Sequence, residues 1–195
     1  MLKLIYAPDP ILKKESVSIP QVDDHHRELI KQMYEIMYSA NGVGLAAPQI
    51  GLNIRIFVLD AGSRDEEKKP ITMINPKIIS LYENKVPYEE CCLSFPEHFA
   101  EIERPEKIKI EYLDEKNSKK ISTFKGFESR IIQHELDHLN GILFIDYLSR
   151  LKLERAMKKK QKREKQYARA REQFIQFARE HHRNNPKLPD EGTVP

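Results

Sequence analysis

Apolar positions recur along the chain with a helical period in one early segment. Its apolar residues stand three or four positions apart, at Leu29, Met33, Ile36, Met37 and Ala40. This spacing predicts an amphipathic helix, because such positions share one helical face. Asp23 or Asp24 can cap its start, and Asn41-Gly42 can end it.

Other segments are rich in β-branched residues or alternate apolar with polar residues, which predicts strands. These segments are residues 54–59, 71–79, 86–92, 107–112 and 120–124. The turn-forming residues 114–118 between the last two predict a hairpin, and residues 61–70 read as a polar loop.

A helical period returns after the strands. Residues 125–140 place apolar side chains on one face, at Ile131, Ile132, Leu136 and Leu139, and Gly141 provides a stop. A second, strongly basic helix is predicted over residues 147–183. It keeps an apolar stripe at Tyr167, Ala170, Phe174, Phe177 and Ala178.

The order of these elements predicts an α+β fold, with antiparallel β-sheets around a central helix and a C-terminal α-helix. A length of 195 residues fits one main domain. We expect a catalytic domain over residues 1–149, a basic helical extension over residues 150–183 and a disordered tail over residues 184–195.

The net charge changes sign at the boundary between the first two of these regions, near residue 150. Residues 150–183 contain 13 Lys and Arg against 4 Asp and Glu, a net charge of +9, whereas residues 1–149 carry −5. A basic appendage of this kind indicates either contact with a polyanion or a solvated helix that keeps the protein soluble, and charge alone does not choose between them.

The two cysteines, Cys91 and Cys92, are adjacent, and neighbouring residues rarely reach disulfide geometry. A reducing compartment fits best, and we expect a cytoplasmic protein. The N-terminus becomes polar too early for a secretory signal, and apolar runs are too short to span a membrane.

The segment His134-Glu135-Leu136-Asp137-His138 carries the clearest chemistry. Two histidines four residues apart on a helix lie one turn apart and can bind a single metal ion. Glu135, beside the first of them, can act as the base for a water activated by that ion. We therefore expect a metal-dependent hydrolase.

Two histidines leave such a site one protein ligand short, since catalytic zinc-type sites use three. His181 and His182 are available downstream on the basic segment, and Cys91 and Cys92 are available upstream at the end of a strand. Spacing alone leaves the choice open, because buried cysteines are commonly only small apolar residues.

Three segments in order resemble the signature motifs of bacterial peptide deformylases: residues 42–49 (GVGLAAPQ), 90–94 (ECCLS) and 133–139 (QHELDHL). The resemblance extends from the N-terminal Pro8-Asp9-Pro10 arm to about Leu148. It implies hydrolysis of the N-formyl group of N-formylmethionyl nascent polypeptides, with release of formate and metal-bound water as nucleophile. Bacterial members also dock a C-terminal helix on the ribosome.

The resemblance also assigns residues to roles. It implies that Cys92, His134 and His138 hold one Fe(II), which Zn, Ni or Co can replace, and that Glu135 is the general base. The side chain of Gln49 and the backbone N–H of Leu93 would stabilise the oxyanion. Substrate contacts are expected from six residues, which are Val43, Gly44, Glu90, Cys91, Phe127 and Ile131.

This chain departs from the family at Cys91, where the usual motif has glycine. If that position needs a positive φ, cysteine would be strained there, whereas an ordinary strand residue would cost little. We also expect Arg130, one turn before His134, to pair with Glu90 and brace the Cys92 loop.

Two other functions fit parts of the sequence. A His-Glu-x-x-His peptidase that cuts internal peptide bonds would need a ligand downstream of the helix and no essential cysteine. A non-catalytic RNA- or ribosome-binding protein would explain the basic segment, but the complete set of ligands, base and oxyanion donors argues against it. We expect no contact with DNA or a membrane.

Overall fold

Five strands form one antiparallel sheet in the order β1-β2-β3-β6-β7. They are β1 (Gly44–Ala46), β2 (Ile56–Asp60), β3 (Pro70–Leu81), β6 (Lys107–Leu113) and β7 (Lys119–Lys125).

A computed structural model describes residues 2–62, 68–82, 84–155, 158, 165–166, 169–173 and 175–176. The chain divides into two units, Met1–Ser149 and Arg150–Pro195.

Two further strands, β4 (Lys85–Cys92) and β5 (Phe95–Pro105), pair with each other as a separate antiparallel hairpin. Their inward side chains include Glu90, Ile102 and Arg104, all buried. Cys92 pairs directly with Phe95, so a tight turn closes the hairpin at Leu93-Ser94. The hairpin therefore presents its closed end, with Cys92, to the interior.

Two α-helices cover opposite faces of the five-stranded sheet. They are α1 (Asp24–Ser39) and α2 (Gly126–Leu139). The side chains of Ile56 and Val58 on β2 join the core beneath α1, whereas those of Phe57 and Leu59 join the core beneath α2. Because β2 is buried on both faces, its sequence is an almost continuous apolar run rather than an alternation.

Local signals set the helix ends. The carboxylate of Asp23 accepts a hydrogen bond from the His26 amide and caps α1. Asn41 after α1 and Gly141 after α2 both have positive φ, which turns the chain out of the helix. A Cβ on Gly141 would lie 2.6 Å from the Lys13 carbonyl oxygen, so this position also requires the space that glycine leaves.

The predicted α+β class is confirmed, and so are α1, α2, β2, β3, β4 and the β6–β7 hairpin, with small shifts at their ends. The sequence prediction missed β1 and β5. The turn of the β4–β5 hairpin is confined to Leu93 and Ser94, because β5 begins at Phe95.

Residues after 147 differ in part from the predicted long helix. Tyr147 ends a short 3-10 helix, Phe144–Tyr147, and helical residues begin again at Arg150. Ala170 is helical and exposed. The other members of the predicted apolar stripe, together with the predicted tail over residues 184–195, lie outside the described residues. Among the described residues, the helices are too short or too polar to cross a membrane.

Candidate metal centre and active-site cleft

Helix α2 places His134 and His138 one turn apart on the side that faces the hairpin. Their rings meet edge to face with centroids 5.1 Å apart, and both side chains are buried. The helix lies between the main sheet and the β4–β5 hairpin, so even its polar residues are enclosed. Both imidazoles are therefore held away from bulk water.

The third member of the group is Cys92, the last residue of β4. Its Sγ lies 3.1 Å from Nε2 of His138. The ligand atoms of Cys92, His134 and His138 all lie within 4.8 Å of one another, and no other group of this kind occurs in the described part of the chain. The fold thus brings an upstream cysteine to two histidines 42 and 46 positions later.

The chemistry of these donors fits a divalent cation. A thiolate and two imidazoles are a ligand set for zinc, iron, cobalt or nickel. Burial holds the pKa of His138 well below its ordinary value, which favours the neutral imidazole that a metal requires. Nδ1 of His138 also lacks a hydrogen-bond partner among the described residues, although it is buried.

Glu90 orients the first histidine. Its Oε2 lies 2.9 Å from Nδ1 of His134, which directs the opposite ring nitrogen toward Cys92. Arg104 donates to both carboxylate oxygens, at 2.7 and 3.0 Å, and Arg130 donates to Oε1 at 2.9 Å. The expected pairing of Arg130 with Glu90 is confirmed.

These partners keep Glu90 ionised in the interior. Burial alone would raise the pKa of its carboxyl group, but hydrogen bonds from His134 and Arg104 outweigh that effect and lower the pKa to about 2. The same contact, together with that of Cys92, raises the pKa of His134 against the effect of burial. The carboxylate is thus a permanent negative charge behind the histidine.

The sequence prediction missed Arg104. This buried residue of β5 also donates to Asp137 of α2 at 2.6 Å, and Tyr147 donates to the same aspartate at 3.2 Å. The arginine thereby ties Glu90 to the helix that carries the histidines. Nothing in the sequence singles it out until β5 is known to pair with β4.

Glu135 directly follows His134 on α2. The side chain is buried, and its Oε2 makes no hydrogen bond among the described residues. Burial raises the pKa of this carboxyl group to about 7. A carboxyl group with this pKa can both accept and release a proton near neutral pH.

Gly44 makes room for that carboxylate. A Cβ on Gly44 would lie 2.8 Å from Cδ of Glu135 and 2.9 Å from Cγ2 of Ile131, closer than real contacts allow. The backbone of Gly44 is not in the left-handed region. Glycine is needed here for space, because Glu135 occupies the volume that a side chain would take.

Gln49 lies in a short 3-10 helix, Ala47–Ile50, directly after β1. Its Oε1 accepts a hydrogen bond from the Ala46 amide at 2.8 Å. That contact fixes the orientation of the amide, whose Nε2 donates to Oγ of Ser94 at 3.2 Å and lies 3.6 Å from Sγ of Cys92. A donor is thus directed at the ligand group.

A cavity of about 610 Å³ opens beside this group. Of the twelve residues that the family resemblance assigns to the site, eleven line it, whereas His138 is buried and is not part of the lining. Phe127 and Val43 are partly exposed at the cavity, whereas Ile131 is buried. Tyr6, Tyr88 and Phe99 also line it, and the sequence analysis did not find them.

Cys91 is an ordinary strand residue. It belongs to β4, its side chain is exposed, and its φ is not positive. The departure from glycine therefore causes no backbone strain. It adds a thiol at the cavity wall, next to the ligand Cys92.

The two adjacent cysteines can be told apart by cobalt spectroscopy. We expect the Co(II)-loaded protein to show thiolate-to-cobalt absorption in the near ultraviolet. Cys91→Ser should keep this band and bind one Co(II) per chain, because its thiol is not among the ligand atoms. Cys92→Ser should lose the band. Its retention in Cys92→Ser would contradict the assignment of the ligand.

Comparisons with known proteins agree with this geometry. The family model described as Polypeptide deformylase matches residues 1–154. Peptide deformylase of Maricaulis maris is 48% identical over 163 residues, which cover 84% of this chain and 94% of that protein. That of Rhizobium meliloti is 46% identical, over 76% of this chain and 86% of its own.

Solved structures show the same fold. The peptide deformylase of Synechococcus elongatus in complex with actinonin has a TM-score of 0.78 and 41% identity, covering 82% of this chain and 87% of that one. The Met-Ala-Ser-bound class I type b enzyme of Acinetobacter baumannii has a TM-score of 0.72 and 31% identity, covering 76% and 98%. On the strength of its motifs, its site geometry and these relatives, the chain belongs to the polypeptide deformylase family.

Proposed function

We propose that this metallohydrolase removes the formyl group from polypeptides that begin with N-formylmethionine, hydrolysing the amide and releasing formate. The observation that carries the proposal is a cleft lined by the buried carboxyl group of Glu135, whose Oε2 has no partner among the described residues, and by members of the Cys-His-His group. The Acinetobacter relative binds Met-Ala-Ser, which is a deformylated peptide of this kind.

Cys92, His134 and His138 would hold one divalent ion, and resemblance to the family favours Fe(II), with Zn, Ni or Co as substitutes. When bound, the ion would act as a Lewis acid, which lowers the pKa of a water molecule and polarises a carbonyl group. Glu90 contributes by holding the ring of His134 in place from behind, which supports metal affinity.

Glu135 would handle the proton. Its carboxylate takes a proton from the attacking water, then delivers it to the nitrogen of the methionine as the C–N bond of the formamide breaks. A pKa of about 7 suits a group that must do both in one turnover. Gly44 serves this step by leaving room for the carboxylate at the cleft wall.

Negative charge develops on the formyl oxygen during attack and requires donors that are already in place. Gln49 would donate from Nε2, since its Oε1 is fixed by the Ala46 amide. The backbone N–H of Leu93, in the hairpin turn, would be the second donor. Both residues line the cleft.

The substrate would lie in the cleft as an extended chain. Strand β1 is an edge of the five-stranded sheet, and an edge can pair with a peptide through backbone hydrogen bonds. Val43, Gly44 and Cys91 would contact the peptide, and Phe127 and Ile131 would contact the methionine side chain. Glu90, proposed from the sequence to bind substrate, has its oxygens engaged by other residues, so its contribution is indirect.

Residues 150–183, with a net charge of +9, would contact ribosomal RNA as an extension of the catalytic domain over residues 1–149. The described residues of this segment are mostly exposed, which leaves their charges available. We place the protein in the cytoplasm, where the free thiols of Cys91 and Cys92 would stay reduced.

Replacement of Glu135 tests the reaction and the base together. We expect wild-type protein, purified without oxygen, to release formate from formyl-Met-Ala-Ser. Glu135→Gln should release it about 10²- to 10⁴-fold more slowly while it keeps its metal, because the amide cannot accept the proton. Equal rates for both proteins would contradict the role of Glu135, and an inactive, metal-loaded wild type would contradict the proposed function.

Removal of residues 150–195 tests the ribosome contact. We expect the full chain to co-sediment with ribosomes at low salt and to dissociate steeply as salt rises, since phosphate contacts release counterions. The truncated protein should fail to co-sediment but should still release formate at the wild-type rate. Co-sedimentation of the truncated protein would show that the catalytic domain makes the contact.

A further inference from the structure

Arg130 joins three elements at one side of the cleft. It belongs to α2, one turn before His134, and its side chain is buried. Its guanidinium donates to the Val86 carbonyl at 2.6 Å, to the Ile102 carbonyl at 3.0 Å and to Glu90 at 2.9 Å. One side chain therefore holds β4 and β5 against α2.

The same guanidinium lies beneath the aromatic wall of the cleft. It is 5.7 Å from the ring centroid of Tyr88 on β4, and that ring lies 5.7 Å from the ring of Phe127 on α2. Both rings are partly exposed and line the cavity. Tyr88 and Phe127 thus come from different elements, and Arg130 links these elements directly beneath the two rings.

The ionised state of Glu90 does not require Arg130. Arg104 already donates to both oxygens of Glu90 and is itself held by Asp137. Loss of Arg130 would leave this pair and the contact of Glu90 with His134 in place. Among the described residues of α2, Arg130 donates to a backbone carbonyl on each strand of the hairpin, whereas Gln133 donates only to that of Pro105 on β5.

We propose that Arg130 is a substrate-positioning residue, which fixes the distance between β4 and α2 and so sets the fit of the side chain of the formylated residue. This inference rests on the proposed deformylase function. A looser hairpin would weaken binding of substrate in ground and transition states alike, which raises KM and leaves kcat unchanged. The reacting groups, on α2 and at the closed end of the hairpin, would keep their geometry.

The test compares Arg130→Lys with the wild-type holoenzyme. Lysine keeps a positive charge beside Glu90 but lacks the planar fork that reaches two carbonyls at once. We expect KM for formyl-Met-Ala-Ser to rise about tenfold, the effect of losing one good hydrogen bond to a charged group. kcat, metal content and the pH profile should stay as in the wild type. Preference for formyl-Met over formyl-Ala peptides should fall about tenfold as well.

Two further variants separate positioning from general loosening. Arg55 also donates to backbone carbonyls, of Leu139 and Pro76, but does not line the cleft, so Arg55→Lys should leave KM unchanged. Tyr88→Ala should raise KM as Arg130→Lys does, and the double variant should show less than the product of the two effects.

The affinity for Met-Ala-Ser, measured by calorimetry in parallel, does not depend on catalysis. It therefore tests the positioning role of Arg130 separately from the proposed function. A catalytically inactive wild type would contradict the proposed function, while a peptide affinity about tenfold weaker in Arg130→Lys would still support positioning. A wild-type KM and peptide affinity in Arg130→Lys would overturn it, as would a loss of kcat together with metal. An equal rise in KM for Arg55→Lys would overturn it too.

Discussion

The contact between Glu90 and His134 is the interaction on which the rest of the site depends. Glu90 is a buried carboxylate of the hairpin, and His134 belongs to the helix, so their 2.9 Å contact joins the two elements that carry Cys92, His134 and His138. A buried charge is costly unless it is paired, and here Arg104 and Arg130 pair it. Loss of Arg104, which donates to both oxygens of Glu90, would leave the carboxylate with one arginine partner, at Oε1.

The position of the hairpin outside the main sheet explains how the cleft arises. Strands β4 and β5 are not paired with the five-stranded sheet, so a space remains between the edge strand β1 and the hairpin. Gln49 reaches this space from one side and Cys92 from the other, and Nε2 of Gln49 lies 3.6 Å from Sγ of Cys92. Helix α2 borders the same space, and burial there raises the pKa of Glu135 to about 7. The alternative peptidase would need a third ligand from downstream of the helix. In the described residues, the group of three is completed instead by Cys92, which lies upstream of the helix.

The sequence predicted the features that depend on local periodicity and capping. Helix α2 and its two histidines follow from spacing alone, and the three motifs allowed the family to be recognised. Strand β5 was missed because its Pro96 and three glutamates conceal an alternation that only pairing with β4 reveals. Arg104 was missed for the same reason. Gly44 was predicted only as a substrate contact, whereas the structure shows that Glu135 fills the space that a side chain at this position would take.

Metal affinity of Glu90→Gln tests the central role of this carboxylate most directly. Glutamine keeps the size of the side chain but removes the charge that orients the ring of His134. We expect a dissociation constant for Co(II) about 10- to 100-fold weaker than that of the wild type, with the circular dichroism of the folded protein retained. An unchanged dissociation constant in a folded variant would contradict the account, because His134 would then be held without Glu90.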